Sequence, residues 1–172
     1  MAIKVFGAAT SLETVLDAIA DKVGDDGDEL FPDERVLITV APDIDFEDGP
    51  IDEKWLVISP HEFSAIDSMV SGGGNYKAGT VGTIGIDLWN RYEVDETLRD
   101  REALRDATNG ILAVWKSVMT SLQLHAPEND DSECILIEPM RWKSWMVQPR
   151  RPKSPWLQIK SFWEIKFVQD LA

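Results

Sequence analysis

The residues able to do chemistry in this sequence are many carboxylates, two histidines and one cysteine. Carboxylates at alternate positions in a turn-rich loop are the donor set of a calcium site, and Asp43, Asp45 and Glu47 have that spacing. Taken as the first three ligands of an EF-hand loop, they require glycine at position 48 and a bidentate glutamate at position 54, where the chain has Asp48 and Lys54. Both diagnostic positions fail, so no metal is expected. Ser71-Gly72-Gly73-Gly74-Asn75-Tyr76-Lys77-Ala78-Gly79 has the glycines of a phosphate loop. Yet Gly79 is followed by Thr80-Val81 where the lysine should stand, so no nucleotide is expected either. Catalysis needs a nucleophile or metal beside a tuned acid or base. His61 follows Pro60 at a strand end, His125 suits the negative end of a helix dipole, and Cys134 sits in the apolar run Cys134-Ile135-Leu136-Ile137 as a buried free thiol. No HExxH, GxSxG or CxxC occurs. The expectation is a protein with no catalytic residue and no cofactor.

The elements that position these residues centre on Thr80 to Leu124. In the run from Thr80 to Arg91, Ile84, Ile86 and Leu88 fall on one face, with Thr83, Gly85, Asp87 and Trp89 on the other, as in a half-buried strand. Leu104, Ala107, Ile111, Leu112, Val114, Trp115, Val118, Met119 and Leu122 then recur at helical spacing. They predict one helix from Asp100 to Leu124, roughly 37 Å long. Before them, Leu12, Val15, Leu16, Ile19 and Val23 predict a short amphipathic helix capped by Thr10 or Ser11 and ended at Gly24-Asp25-Asp26-Gly27. Strands are expected at Arg35 to Ala41 and at Trp55 to Ser59, the latter stopped by Pro60.

His61 to Gly79 reads as a protruding arm, hairpin or mobile loop. Glu133 to Glu138 and Met140 to Val147 read as two further strands. In the second, Met140, Trp142 and Met146 face one side, and Arg141, Lys143, Trp145 and Val147 the other. The stretch 148–155, with prolines at 149, 152 and 155, reads as an extended connection. The last strand, Trp156 to Val168, puts Leu157, Ile159, Trp163, Ile165 and Phe167 on one face. The chain is thus expected to be one α+β domain over 1–172, a mostly antiparallel sheet of about five strands with two helices on one face.

With 44% apolar residues in 172, one core suffices; at this length folding hides about 70% of the unfolded surface. No signal peptide is read at the N-terminus, and no run approaches the roughly eighteen apolar residues of a membrane span. The net charge of −14 is split. From Glu13 to Glu53 there are fifteen acidic and two basic residues, and from Pro139 to Ala172 two acidic and seven basic. So acidic a surface argues against binding the phosphate backbone.

This order of elements resembles the tail-terminator, or tail-completion, proteins of tailed bacteriophages. The resemblance is carried by the helix Leu12 to Val23, the strands near Val36 to Ala41 and Trp55 to Ser59, and the strand Ile84 to Arg91. It continues through the lead Asp95-Glu96-Thr97-Leu98-Arg99-Asp100-Arg101-Glu102, a helix ending in Ser121-Leu122-Gln123-Leu124-His125, and the terminal strands. It implies a structural virion protein, assembled in the host cytoplasm. Identical copies, typically a hexamer, would form a ring at the head–tail junction that ends the tail tube and joins it to the head-side connector protein. DNA would pass through the lumen without specific binding. It implies no catalytic residue, metal or membrane contact. In a head-to-tail ring the acidic part of one copy meets the basic part of the next. The expected interface residues are Asp43, Asp45, Glu47, Asp48, Tyr76, Lys77, Trp142, Trp145, Arg150, Arg151, Lys153 and Trp156. Three alternatives stay open: another neck or connector component, a monomeric adaptor using Pro149 to Pro155, and a metal-dependent enzyme built on the acidic loop with Asp43 and Asp45.

Overall fold

The computed structural model describes residues 8–25, 31, 35–40, 54–70, 77–91, 110–148 and 156–170. The acidic loop with Asp43, Asp45, Glu47 and Asp48, the residues Tyr76, Arg150, Arg151 and Lys153, and the lead from Asp95 to Glu102 lie outside them. Among the described residues the fold is α+β: two helices and a mixed, mostly antiparallel open sheet of six strands. In chain order these are β1 (Ala9–Thr10), α1 (Leu12–Asp25), β2 (Val36–Ile38), β3 (Lys54–Val70), β4 (Lys77–Arg91), α2 (Ile111–Leu122), β5 (Leu136–Val147) and β6 (Trp156–Asp170). The sheet runs β1-β6-β4-β3-β2, with β5 also paired to β6. Among the described strands only β1 with β6 and β2 with β3 run parallel.

The helix-bearing face follows the strand alternation. Leu56 and Ile58 of β3, Ile84, Ile86 and Leu88 of β4, and Ile159, Trp163, Ile165 and Phe167 of β6 are buried there. Val15, Leu16, Ile19 and Val23 of α1 and Ile111, Val114, Trp115, Val118 and Leu122 of α2 cover them in one cluster. Ser11 caps α1, its Oγ accepting the Thr14 amide at 3.1 Å. One polar pair sits inside this apolar layer. The Trp163 indole N–H donates to Ser161 Oγ at 2.8 Å, and Ser161 donates to the Ile86 carbonyl, where the β4–β6 ladder opens between Gly85↔Phe162 and Leu88↔Ile159.

Several expectations change. The predicted helix does not run unbroken from Asp100 to Leu124: Gly110 is extended at ψ 146° and caps a helix that starts at Ile111, and residues 100–109 lie outside the described ones. Glycine is the residue least costly to hold out of a helix. At its other end backbone amides close α2, Gln123 N–H to Met119 at 2.9 Å and His125 N–H to Leu122 at 3.0 Å. Strand β3 does not stop at Pro60. Thr39 N–H donates to the Ile58 carbonyl on the β2 side, so two residues later the ring nitrogen of Pro60 also points away from β4, past the end of β2, and costs no ladder bond. Residues 61–70, expected in the arm or loop, therefore belong to β3. The two strands expected between Glu133 and Val147 are one, and β2 is shorter than Arg35 to Ala41. Cys134 is exposed. It is bridged to Glu128 before β5 begins, and the burial goes instead to Ile135 and Leu136.

Candidate functional site: an open sheet edge with an aromatic row

Among the described strands β5 pairs with β6 alone, on one side. At its start the outer side is occupied: Leu124 N–H donates to the Met140 carbonyl at 3.0 Å, Met140 N–H to His125 at 2.9 Å, and Trp142 N–H to Gln123 Oε1 at 3.2 Å. From Lys143 onward no strand of the described residues lies alongside. Gln148 N–H donates inward to Gln158 at 2.8 Å. By alternation the N–H and C=O groups of Val147 and Trp145 point outward.

The pairing also fixes where the side chains go. Trp142 lies opposite Trp163, Trp145 opposite Ser161 and Val147 opposite Ile159. Directly opposed residues share a face, so all three stand on the helix-bearing side. A strict two-residue period puts Trp145 and Val147 across from Trp142. A bulge between Trp142 and Ser144 inserts one residue and turns them over. Ring contacts agree: Trp145 lies 6.1 Å from Trp115 of α2, and Trp115 lies 6.4 Å from Trp163. The outer end of this aromatic row stays accessible, with Trp142 41%, Trp145 40% and Val147 37% exposed; Met146, 50% exposed, lies opposite Lys160 on the helix-free side. A hydrophobic strip on an unpaired strand is the surface feature that most often marks a protein–protein contact.

The other face of this edge is charged. Lys143 Nζ, on the bulge, lies 2.6 Å from Glu164, which Lys166 also approaches at 3.7 Å; Lys166 pairs with Glu138 at 3.0 Å. The hydrogen bond from Lys143 holds the Glu164 carboxyl below the ordinary carboxylate range, against a smaller opposing effect of burial, with both lysine charges adding to the shift. Arg141 is exposed beside them.

The middle of the same face carries Ser59, His61 and Asp87. Ser59 Oγ lies 3.3 Å from His61 Nε2, and His61 meets the Phe162 ring edge-on at 5.3 Å. Gly85 leaves room for both, since a Cβ there would fall 2.6 Å from His61 Nε2. Buried Asp87 accepts from Gln158 Nε2 at 3.2 Å. Among the described residues no three His, Cys, Asp or Glu side chains gather as a metal ion requires.

Of the residues expected at an interface, Trp142 and Trp145 therefore stand together on one open edge. Trp156 does not join them. It is 8% exposed, packed with Trp55 and Val57 on the opposite face against Leu37 and Trp89, and is a core residue of the single chain. Lys77 opens β4, far along the sheet from Trp142. Sequence reasoning did not single out Met146 and Val147. The bulge that presents Val147 has no residue signature, although the apolar pair next to two tryptophans was a usable signal.

The chain matches no protein-family model and no curated protein. Among solved structures it is similar to a chain described as "Virion of native gene transfer agent (GTA) particle", at 14% identity and a TM-score of 0.53. The match covers 90% of this chain and 94% of that one. The likeness establishes a shared fold over nearly the whole length of both.

Proposed function

We propose that this protein is a structural component of a phage-like particle: a tail-terminator or tail-completion protein whose copies close a hexameric ring at the head–tail junction. The ring ends the tail tube and joins it to the head-side connector. The observation that carries the reading is the end-to-end likeness to a chain of a virion, with no large insertion on either side to hold a separate activity. The open β5 edge with its aromatic row and the division of charge along the chain support it, because unlike surfaces favour head-to-tail closure. The work is mechanical. The protein holds two assemblies together while DNA passes through a lumen whose carboxylates discourage adhesion, and its partners are itself, the tail tube protein and the connector protein.

Light scattering of the purified protein at low salt, alone and with tail tube protein, followed by negative-stain imaging, tests this reading. Rings that cap tube ends are expected. A protein that stays monomeric in both conditions overturns it. Rings that bind the connector but ignore tube ends point to another neck component.

A further inference from the structure

The sheet has a second open margin. β2 pairs with β3 only from Leu56 to Ile58, so past Ile58 the outer side of β3 has no strand neighbour among the described residues, and His61, Glu62, Ser64 and Ala65 are exposed there. Phe63 lies opposite Gly82 and Ala65 opposite Thr80, both on the helix-bearing face of β4. A bulge between Pro60 and Phe63 keeps the outward backbone groups in phase with that face, as the bulge in β5 does for Trp145 and Val147. The two margins of one chain thus expose matching backbone groups at residues whose side chains stand on the same side of the sheet.

From these relations we infer that the β5 edge of one copy docks on the β3 edge of the next, so that the sheets run on from subunit to subunit. The inference rests on the ring reading and names the contact that closes it. Strand direction agrees: β5 is antiparallel to β6, β6 to β4 and β4 to β3, so β5 and β3 point opposite ways in one chain. Two copies set side by side in the same orientation then join antiparallel, with their helices on a common side. Charge disfavours the self-matching alternative. β5 laid against a second β5 brings the Lys143 of both copies, with Arg141 near by, to one junction, whereas the β3 edge from His61 to Ala65 carries Glu62 and no Lys or Arg. The exposed Trp145 and Val147 gain apolar cover over Phe63 and Ala65.

The test blocks each margin separately in the full chain with a charge on the helix-bearing face. Trp145→Asp closes the β5 edge and Ala65→Lys the β3 edge. Val147→Asp is a second β5 variant that leaves the Trp145–Trp115 contact in place, and circular dichroism identifies variants that keep the fold. Each folded variant alone is expected to be monomeric by light scattering. An equimolar mixture of a β5-blocked and a β3-blocked variant retains one usable junction and is expected to stop at a dimer. Rings from wild type and from both variants would overturn this inference and leave the ring reading standing. Dimers from Ala65→Lys alone would show β5 meeting β5 and overturn it too. A wild-type chain that never assembles removes the ring reading itself.

Discussion

The ring of Phe63 fills the space above Gly82: a Cβ added at Gly82 would lie 2.0 Å from Phe63 Cδ1. The two residues are paired across β3 and β4, and Phe63 then reaches Phe167 with ring centroids 6.4 Å apart. The Phe63 ring therefore extends the helix-side core past the bulge only because position 82 has no side chain. Gly82→Ala is expected to destabilise the fold by about 1–3 kcal/mol, the usual cost of overpacking. Chemical denaturation checks it. The double variant Gly82→Ala/Phe63→Ala should lose less than the sum of the two single losses; strict additivity would mean that the two sites do not compete for space.

Ser161 is a hinge of polarity in an apolar layer, accepting from the Trp163 indole and donating to the Ile86 carbonyl. Ser161→Ala leaves a buried donor and a buried acceptor without this partner, and should cost about 1–3 kcal/mol. Adding Trp163→Phe removes the orphaned indole N–H, so the double variant is expected to fall short of the summed losses in thermal or urea unfolding. Equal, additive losses would assign the residues to separate roles.

Glu164 has its pKa lowered in the folded protein, chiefly by the Lys143 hydrogen bond. A depressed carboxylate adds stability above its unfolded pKa of about 4.3 and loses that stability as pH falls through the lower folded value. Removing the partner with Lys143→Met should therefore reduce stability at pH 7 and flatten its decline below about pH 4.3, with little difference from wild type at the acid end. Both side chains are partly exposed, at 53% and 25%, so the effect at neutral pH is expected to be below about 1 kcal/mol. Unfolding curves at pH 7, 4 and 2.5 measure it; a variant that loses stability equally at all three argues for a packing effect.

Cys134 is accessible in the native state, contrary to its apolar sequence context. A thiol reagent such as Ellman's should titrate the single sulfhydryl without denaturant and at a rate close to that in urea. Strong protection in the native protein would place the side chain inside.

The regular parts of the fold were readable from residue types alone. Ile84, Ile86 and Leu88 alternate without interruption, and Val15, Leu16, Ile19 and Val23 make a helical stripe with a serine before it; in both, local pattern and tertiary burial agree. The departures occur where one residue breaks a period. Gly110 interrupts a stripe whose apolar spacing continues through it. Pro60 reads as a stop, yet is harmless where its nitrogen faces an unpaired margin. For the candidate edge, composition pointed to Trp142 and Trp145 but also to Trp156. Nothing in the sequence separates a tryptophan on an edge strand from one packed among its neighbours on a sheet face, because the distinction depends on which strands become neighbours.

The bulge in β5 makes position 143 a spare place in the strand's count of residues. Exchanging Lys143 for another side chain keeps the count of residues, and Trp145 and Val147 still stand beside α2. Losing that one codon removes the extra residue itself: unbroken alternation from Trp142 keeps Ser144 opposite Phe162, Trp145 opposite Ser161 and Val147 opposite Ile159, so Trp145 stays beside Trp115. Drift along this margin should then tolerate the loss of one residue between Trp142 and Trp145 while purging the loss of both, which would invert Trp145 and Val147, an asymmetry that a library of one-codon and two-codon deletions would expose.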